Sequence, residues 1–178
     1  MRAAFLGAEQ ALARHAHLAA YFAALGGRDP NRRPRPRTLA ELPWQQTQAG
    51  LGAELETTMT HFDFAMAKCE AGQADDLVDD YRRALSVMPK PSHPFKLWEN
   101  FFRTRSHILR RGDKRWPTHK ILLQLAVEHA DNSRLTQGAE RWLEQGYCDW
   151  VWLRNPLRVK EAGIDPCIAV LEGHINTI

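Results

Sequence analysis

An all-α bundle or short solenoid of about seven or eight amphipathic helices, closing in a short β-like tail, is the fold class the sequence predicts. Three observations predict it. Apolar residues recur at three- and four-residue intervals through most of the chain. Glycines and prolines fall where such stretches need starts and stops. Alternation of period two is confined to the C-terminal end. The balance of 24 Lys plus Arg against 21 Asp plus Glu in 178 residues, a formal charge of +3, with 44% hydrophobic residues, is that of a globular chain and excludes a disordered tail or a collagen-like fibre. The three cysteines, Cys69, Cys148 and Cys167, are far apart and odd in number, so they offer neither a disulfide framework nor a CxxC metal pair. No run approaches the ~18 apolar residues of a membrane span, and Glu9 and Gln10 interrupt any N-terminal signal core. The expected setting is a reducing cytoplasm.

Leu12, His15, Leu18, Ala19, Phe22 and Leu25 share one face of a helix over Ala8 to Leu25, stopped by Gly26 and Gly27. Arg28 to Arg37 carries three prolines and like charges, which predicts an extended, exposed loop. Thr38 with Glu41 fits a capping box, opening a helix that carries Leu42 and Trp44 inward and kinks or restarts at Pro43. Two short helices are expected over Ala53 to Met59 and Asp63 to Glu70. Asp75 and Asp76 then mark the start of a helix with Leu77, Val78, Tyr81 and Leu85 inward and an Asp79–Arg83 pair on its wet side. Pro89, Pro91 and Pro94 make 88–94 a hinge between two helical subgroups. Phe95, Trp98, Phe102 and Leu109 follow helical spacing to Gly112. Pro117 opens a further helix with Ile121, Leu122 and Leu125, and Ser133 caps a last one containing Leu135, Ala139 and Trp142. Cys167 to Glu172 then alternates like a strand.

The stretches ELPWQQTQAG (Glu41 to Gly50), HFDFAMAKCEAG (His61 to Gly72) and DDLVDDYRRAL (Asp75 to Leu85) together resemble the helical domain of apoptotic protease-activating factor and its bacterial NACHT and NB-ARC relatives. His15 to Phe22 is similar to the helix leading out of the winged-helix part of such proteins, and Phe101 to Gly112 to the long helix beyond the linker. Ile168 to Ile178, with Leu171, Gly173 and His174, resembles the opening of a WD-repeat propeller. The order, helical domain then propeller, is that of the STAND class of signalling ATPases. The resemblance implies a middle piece: a linking helix at 1–27, an Arg/Pro-rich loop at 28–37, a helical arm at 38–163, and a truncated WD-repeat start at 164–178.

No phosphate-cradling GxxxxGK[ST] loop is present, because Gly26-Gly27-Arg28 lacks the spacing, so no cofactor is expected. The eight histidines are not arranged in pairs backed by cysteine or carboxylate, and no metal site is expected. Cys69 and Cys148 read as small buried hydrophobes rather than nucleophiles. Five arginines between Arg28 and Arg37 lack an interleaved aromatic platform, which favours a solvated loop or an acidic protein partner over nucleic acid. The six tryptophans read mostly as core. Trp150 and Trp152 follow the last helix in a segment too short for its own core, so with Arg32, Arg33 and Arg35 they are the candidate partner interface.

Two functions stand beside each other at this level. The first is a non-enzymatic arm joining a nucleotide switch to a sensor propeller, with those neighbouring domains as its protein partners and no membrane association. The second is a free-standing α-solenoid that binds peptides or proteins, though no internal repeat supports it.

Overall fold

The computed structural model describes residues 7–162, and the helices in it follow from where the chain can and cannot donate backbone hydrogen bonds. Among the described residues there are eight: α1 (Ala8–Leu25), α2 (Pro36–Gln48), α3 (Gly52–Met59), α4 (Phe62–Glu70), α5 (Ala74–Val87), α6 (His93–Leu109), α7 (Thr118–Val127) and α8 (Arg134–Glu144), and no strand. The β-like run over Cys167 to Glu172 and the Leu171, Gly173 and His174 motif lie outside the described residues.

α1 has the predicted bounds, and Gly26 ends it at φ 70°, where a side chain would be strained. Its apolar face is only half used. Ala19 and Phe22 are buried, but Leu12 and Leu18 are exposed, because among the described residues α1 packs chiefly on α2. α2 starts two residues before Thr38. Pro36 takes its first position, where a missing amide donor costs nothing, so Arg35 is the cap and Thr38 is buried in the first turn. Glu41 consequently makes no capping box; it accepts a hydrogen bond from Gln45 Nε2 at 2.8 Å. The helix runs through Pro43 without restarting, held by burial of Leu39, Leu42 and Pro43 itself. That packing face turns Trp44 outward, 40% exposed, with the Arg83 guanidinium 5.6 Å over its ring.

Ser92 caps α6 by accepting from the Phe95 amide at 3.2 Å, and Ser133 caps α8 by accepting from Leu135. One continuous core runs from Phe22 to Trp142 and crosses the proline segment, since Met88 belongs to it. Its centre is aromatic. Tyr81 lies 5.2 Å from Phe95 and 5.5 Å from Phe102, and Phe102 also touches Trp98 and Phe101. The Tyr81 hydroxyl donates to the Met59 carbonyl at 2.5 Å, tying α5 to α3. α8 approaches α4 closely at Gly138, where a Cβ would sit 3.0 Å from Phe62 Cβ. Trp98 and Trp142 are the buried tryptophans; Trp116 is exposed like Trp44, because it precedes α7 rather than lying on its inner face.

Within this core, Lys68 of α4 is fully buried and ion-paired with Asp80 of α5, whose other oxygen accepts from Arg83 at 2.5 Å. Arg83 therefore pairs with Asp80, while Asp79 pairs with Arg82 at 2.8 Å; the expected Asp79–Arg83 bridge is not made. A carboxylate one position inward offers Arg83 a drier and stronger partner than Asp79 does.

Candidate functional site

The loop over residues 26–35 is folded, not extended. The Asp29 amide donates to the Arg33 carbonyl at 2.9 Å, the Asp29 carboxylate accepts from the Arg33 amide at 2.8 Å, and Arg28 bridges to Pro34. This tight turn puts Arg32 at φ 61°, the left-handed region that non-glycine residues rarely occupy. Strain of that kind persists only where surroundings hold it. Here the surroundings are explicit. The Arg32 guanidinium lies 3.4 Å over the Tyr147 ring and donates to Asp63 Oδ1 at 2.8 Å.

Asp63, in the first turn of α4, is the hub. Its Oδ1 accepts from Arg28 Nε at 3.0 Å, from Arg32 and from the Trp142 indole at 2.9 Å, so one carboxylate joins the loop to α4 and α8. Arg28 also pairs with Glu70 at the far end of α4, at 2.6 Å. Two of the like charges that predicted an extended loop, Arg28 and Arg32, are neutralised by carboxylates from a distant helix, which is why the loop closes.

Beyond α8, residues 147–162 form a strap returning over α7 and α8. Gln124 bonds Leu153 through both its amide nitrogen and its oxygen, at 2.8 and 3.0 Å. Asp131 and Asn132 amides donate to the Val159 and Lys160 carbonyls, each at 3.0 Å. Arg158 fastens the end by donating to Val127 O at 2.6 Å, to Glu140 at 2.8 Å and to Asp131. Burial lowers its affinity for a proton, but these bonds outweigh that and the net shift is upward.

Loop, α7 and strap enclose a cleft of about 600 Å³, within the range of small-ligand sites. Its walls include Arg28, Arg32, Arg33, Glu70, His119, Lys120, Trp142, Tyr147, Asp149 and Trp150. Trp142 forms the aromatic side, with Tyr147 at 5.7 Å and Trp150 at 5.9 Å. Lys120 Nζ lies 5.1 Å over the Trp150 ring, and His119 meets that ring edge-on at 5.5 Å. Burial is the largest effect on His119 and lowers its pKa, with Lys120 and Arg28 acting the same way against Glu70 and Asp149. The Trp150 Nε1 and His119 Nδ1 atoms have no hydrogen-bond partner among the described residues.

Of the sequence-predicted interface, the fold brings Arg32, Arg33 and Trp150 to this cleft. Arg35 is used elsewhere, donating to the Leu25 carbonyl at the end of α1. Trp152 packs half-buried on the core beyond the cleft lining. Asp63, His119, Lys120 and Trp142 were not legible as site residues, because their common destination depends on contacts between helices far apart in the chain. Among the described residues no three His, Cys, Asp or Glu side chains converge on a metal-sized site, and no helix is long and apolar enough to cross a membrane. Burial pushes the Cys69 thiol up to about 12, against the smaller opposing effect of Lys68, so it is held as an unreactive thiol.

The architecture is that of a helical module in which Asp63, Glu70 and Arg158 fasten a loop and a strap to the helices. A family model described as the APAF-1 helical domain matches residues 41–145, from the first turns of α2 to the end of α8. The chain belongs to the APAF-1 helical-domain family, a non-catalytic domain of STAND ATPases. No curated protein and no solved structure matches it.

Proposed function

We propose that this chain is a non-catalytic helical arm of a cytoplasmic STAND signalling ATPase, joining its nucleotide switch to a WD-repeat sensor. The observation that carries this reading is the family match across α2 to α8, the part of the chain that forms the common core. The end of the strap adds to it. Val151, Leu153, Leu157 and Val159 are all largely exposed there, apolar surface in the segment leading toward the Leu171, Gly173 and His174 motif. In this reading the partners are the neighbouring ATPase and propeller domains, met through Trp150, Trp152 and Arg33, while Arg32 and Arg35 hold the loop in place. Such an arm transmits a signal only through contacts that differ between the closed and open forms of the switch, so its interfaces carry its function.

Sequencing the DNA on both sides of the reading frame tests it. A P-loop ATPase encoded upstream and WD repeats downstream in the same frame are expected. A gene flanked by neither overturns the reading, as does robust magnesium-dependent ATP hydrolysis by the isolated chain.

A further inference from the structure

We propose that the cleft between the 26–35 loop, α7 and the strap binds an acidic peptide segment. Its carboxylates pair with Arg33 and Lys120, and an adjacent apolar side chain lies on the wall made by Trp142, Tyr147 and Trp150.

Two of the cations at the cleft are already committed. Arg28 and Arg32 face the cleft but are neutralised by Asp63 and Glu70, which makes them part of its frame. Arg33 and Lys120 are different: both line the cleft, and among the described residues neither is paired with a carboxylate. Arg33 is set there by the strained turn at Arg32, and Lys120 is set by lying over the Trp116 and Trp150 rings, at 5.6 and 5.1 Å. Lys120 held over two indoles and Arg33 projecting from a fixed backbone turn put two uncommitted cations beside an aromatic wall, an arrangement that favours an incoming anion.

The walls also say which anion. Asp149 lies in the same cleft without an ion-pair partner among the described residues, so the concentrated charge of a polyphosphate would meet a carboxylate, and among the described lining residues no run of glycine amides is available to cradle it. A peptide meets these walls better. It carries single negative charges spaced along a backbone, its amides can donate to Asp149, and its apolar side chains suit the indole and phenol faces. The proposal deepens the reading of the domain as a docking arm, yet it stands or falls separately. Flanking DNA without ATPase or propeller leaves the cleft intact, and failure of the peptide to bind leaves the gene architecture untouched.

The test uses the full chain and fluorescein-labelled Asp-Glu-Phe-Asp-Leu-amide, followed by fluorescence anisotropy, with the same peptide carrying Lys at the acidic positions as its counterpart. The expected result is saturable binding of the acidic peptide alone, weakening as salt rises from about 50 to about 300 mM. Arg33→Glu with Lys120→Glu should weaken it by about tenfold or more, while Lys114→Glu, an exposed cation away from the cleft, leaves it unchanged. Thermal melts verify folding, and Lys120→Gln serves as the second variant if the double reversal does not fold. Equal binding of both peptides, no binding, or indifference to the cleft substitutions overturns the proposal. So does displacement of the label by inorganic phosphate or magnesium-ATP at lower concentration than by unlabelled peptide, which would identify a small-anion site.

Discussion

Asp63 and Lys68 stand on the same short helix, α4, and the two charges are treated in opposite ways. Lys68 points into the core, has no solvent access and meets one carboxylate, Asp80. Asp63 sits at the rim, its side chain 26% exposed, and gathers three donors from a loop and another helix. A dry pair leaves an expensive orphan when one partner goes, whereas a wet hub loses geometry that water partly replaces. The difference teaches that α4 is the keel of the domain on one side and the mooring of the cleft on the other, with separate energetic consequences.

The largest effect that can break this comparison is at the dry pair. Asp80→Ala should destabilise the chain by about 3–5 kcal/mol in urea unfolding, because it strands a buried ammonium. Replacing both partners, Lys68→Met with Asp80→Leu, should recover most of that loss. A double variant as unstable as Asp80→Ala alone would mean that the pair contributes more than the cost of its own desolvation. At the rim, Asp63→Ala should cost less, about 1–2 kcal/mol, and should release the loop. Hydrogen exchange at the Arg32 and Arg33 amides should then rise while the Tyr81 region keeps its protection. Loss of protection everywhere would show that the two sides of α4 are one cooperative unit.

pH sharpens the contrast further. Burial lowers the pKa of both His119 and His129 below the ordinary 6.5, Arg105 adding to the effect on His129. The folded chain therefore takes up these protons at lower pH than the unfolded chain does. The stability they carry is complete above about 6.5 and falls as pH drops from there through the lower folded values. The melting temperature should decline from pH 7.5 toward pH 5.5, and His129→Gln should flatten that decline. A variant as pH-sensitive as the wild type would place the titration elsewhere.

Smaller effects come from the thiol and the surface. Cys69 should resist iodoacetamide until the chain unfolds, as read by peptide mass mapping, and labelling in the native state would contradict its burial among α4 neighbours. Arg82→Ala should leave thermal unfolding unchanged, since its bridge to Asp79 lies in solvent.

The helices were legible because their signals are local. The spacing through Phe22 and the Gly26-Gly27 stop set α1, and Ser133 was recognisable as a cap before Leu135. Thr38 misled because Pro36, just before it, is the better first helical residue, and Trp44 misled because α2 turns its buried face by what it packs against. The cleft could not be seen in advance. The arginines of the loop look mutually repulsive until Asp63 and Glu70 arrive from α4, and Trp142 joins them only because Gly138 lets α8 come close to Phe62. Nothing in the spacing of any one segment encodes a meeting of three.

Arg158 gives the domain a mechanical property. Its guanidinium grips α7 through Val127, the turn through Asp131 and α8 through Glu140. Load on the strap passes into both helices through that one guanidinium and into the turn between them through the amides of Asp131 and Asn132, so strap, turn and helices swing as one piece.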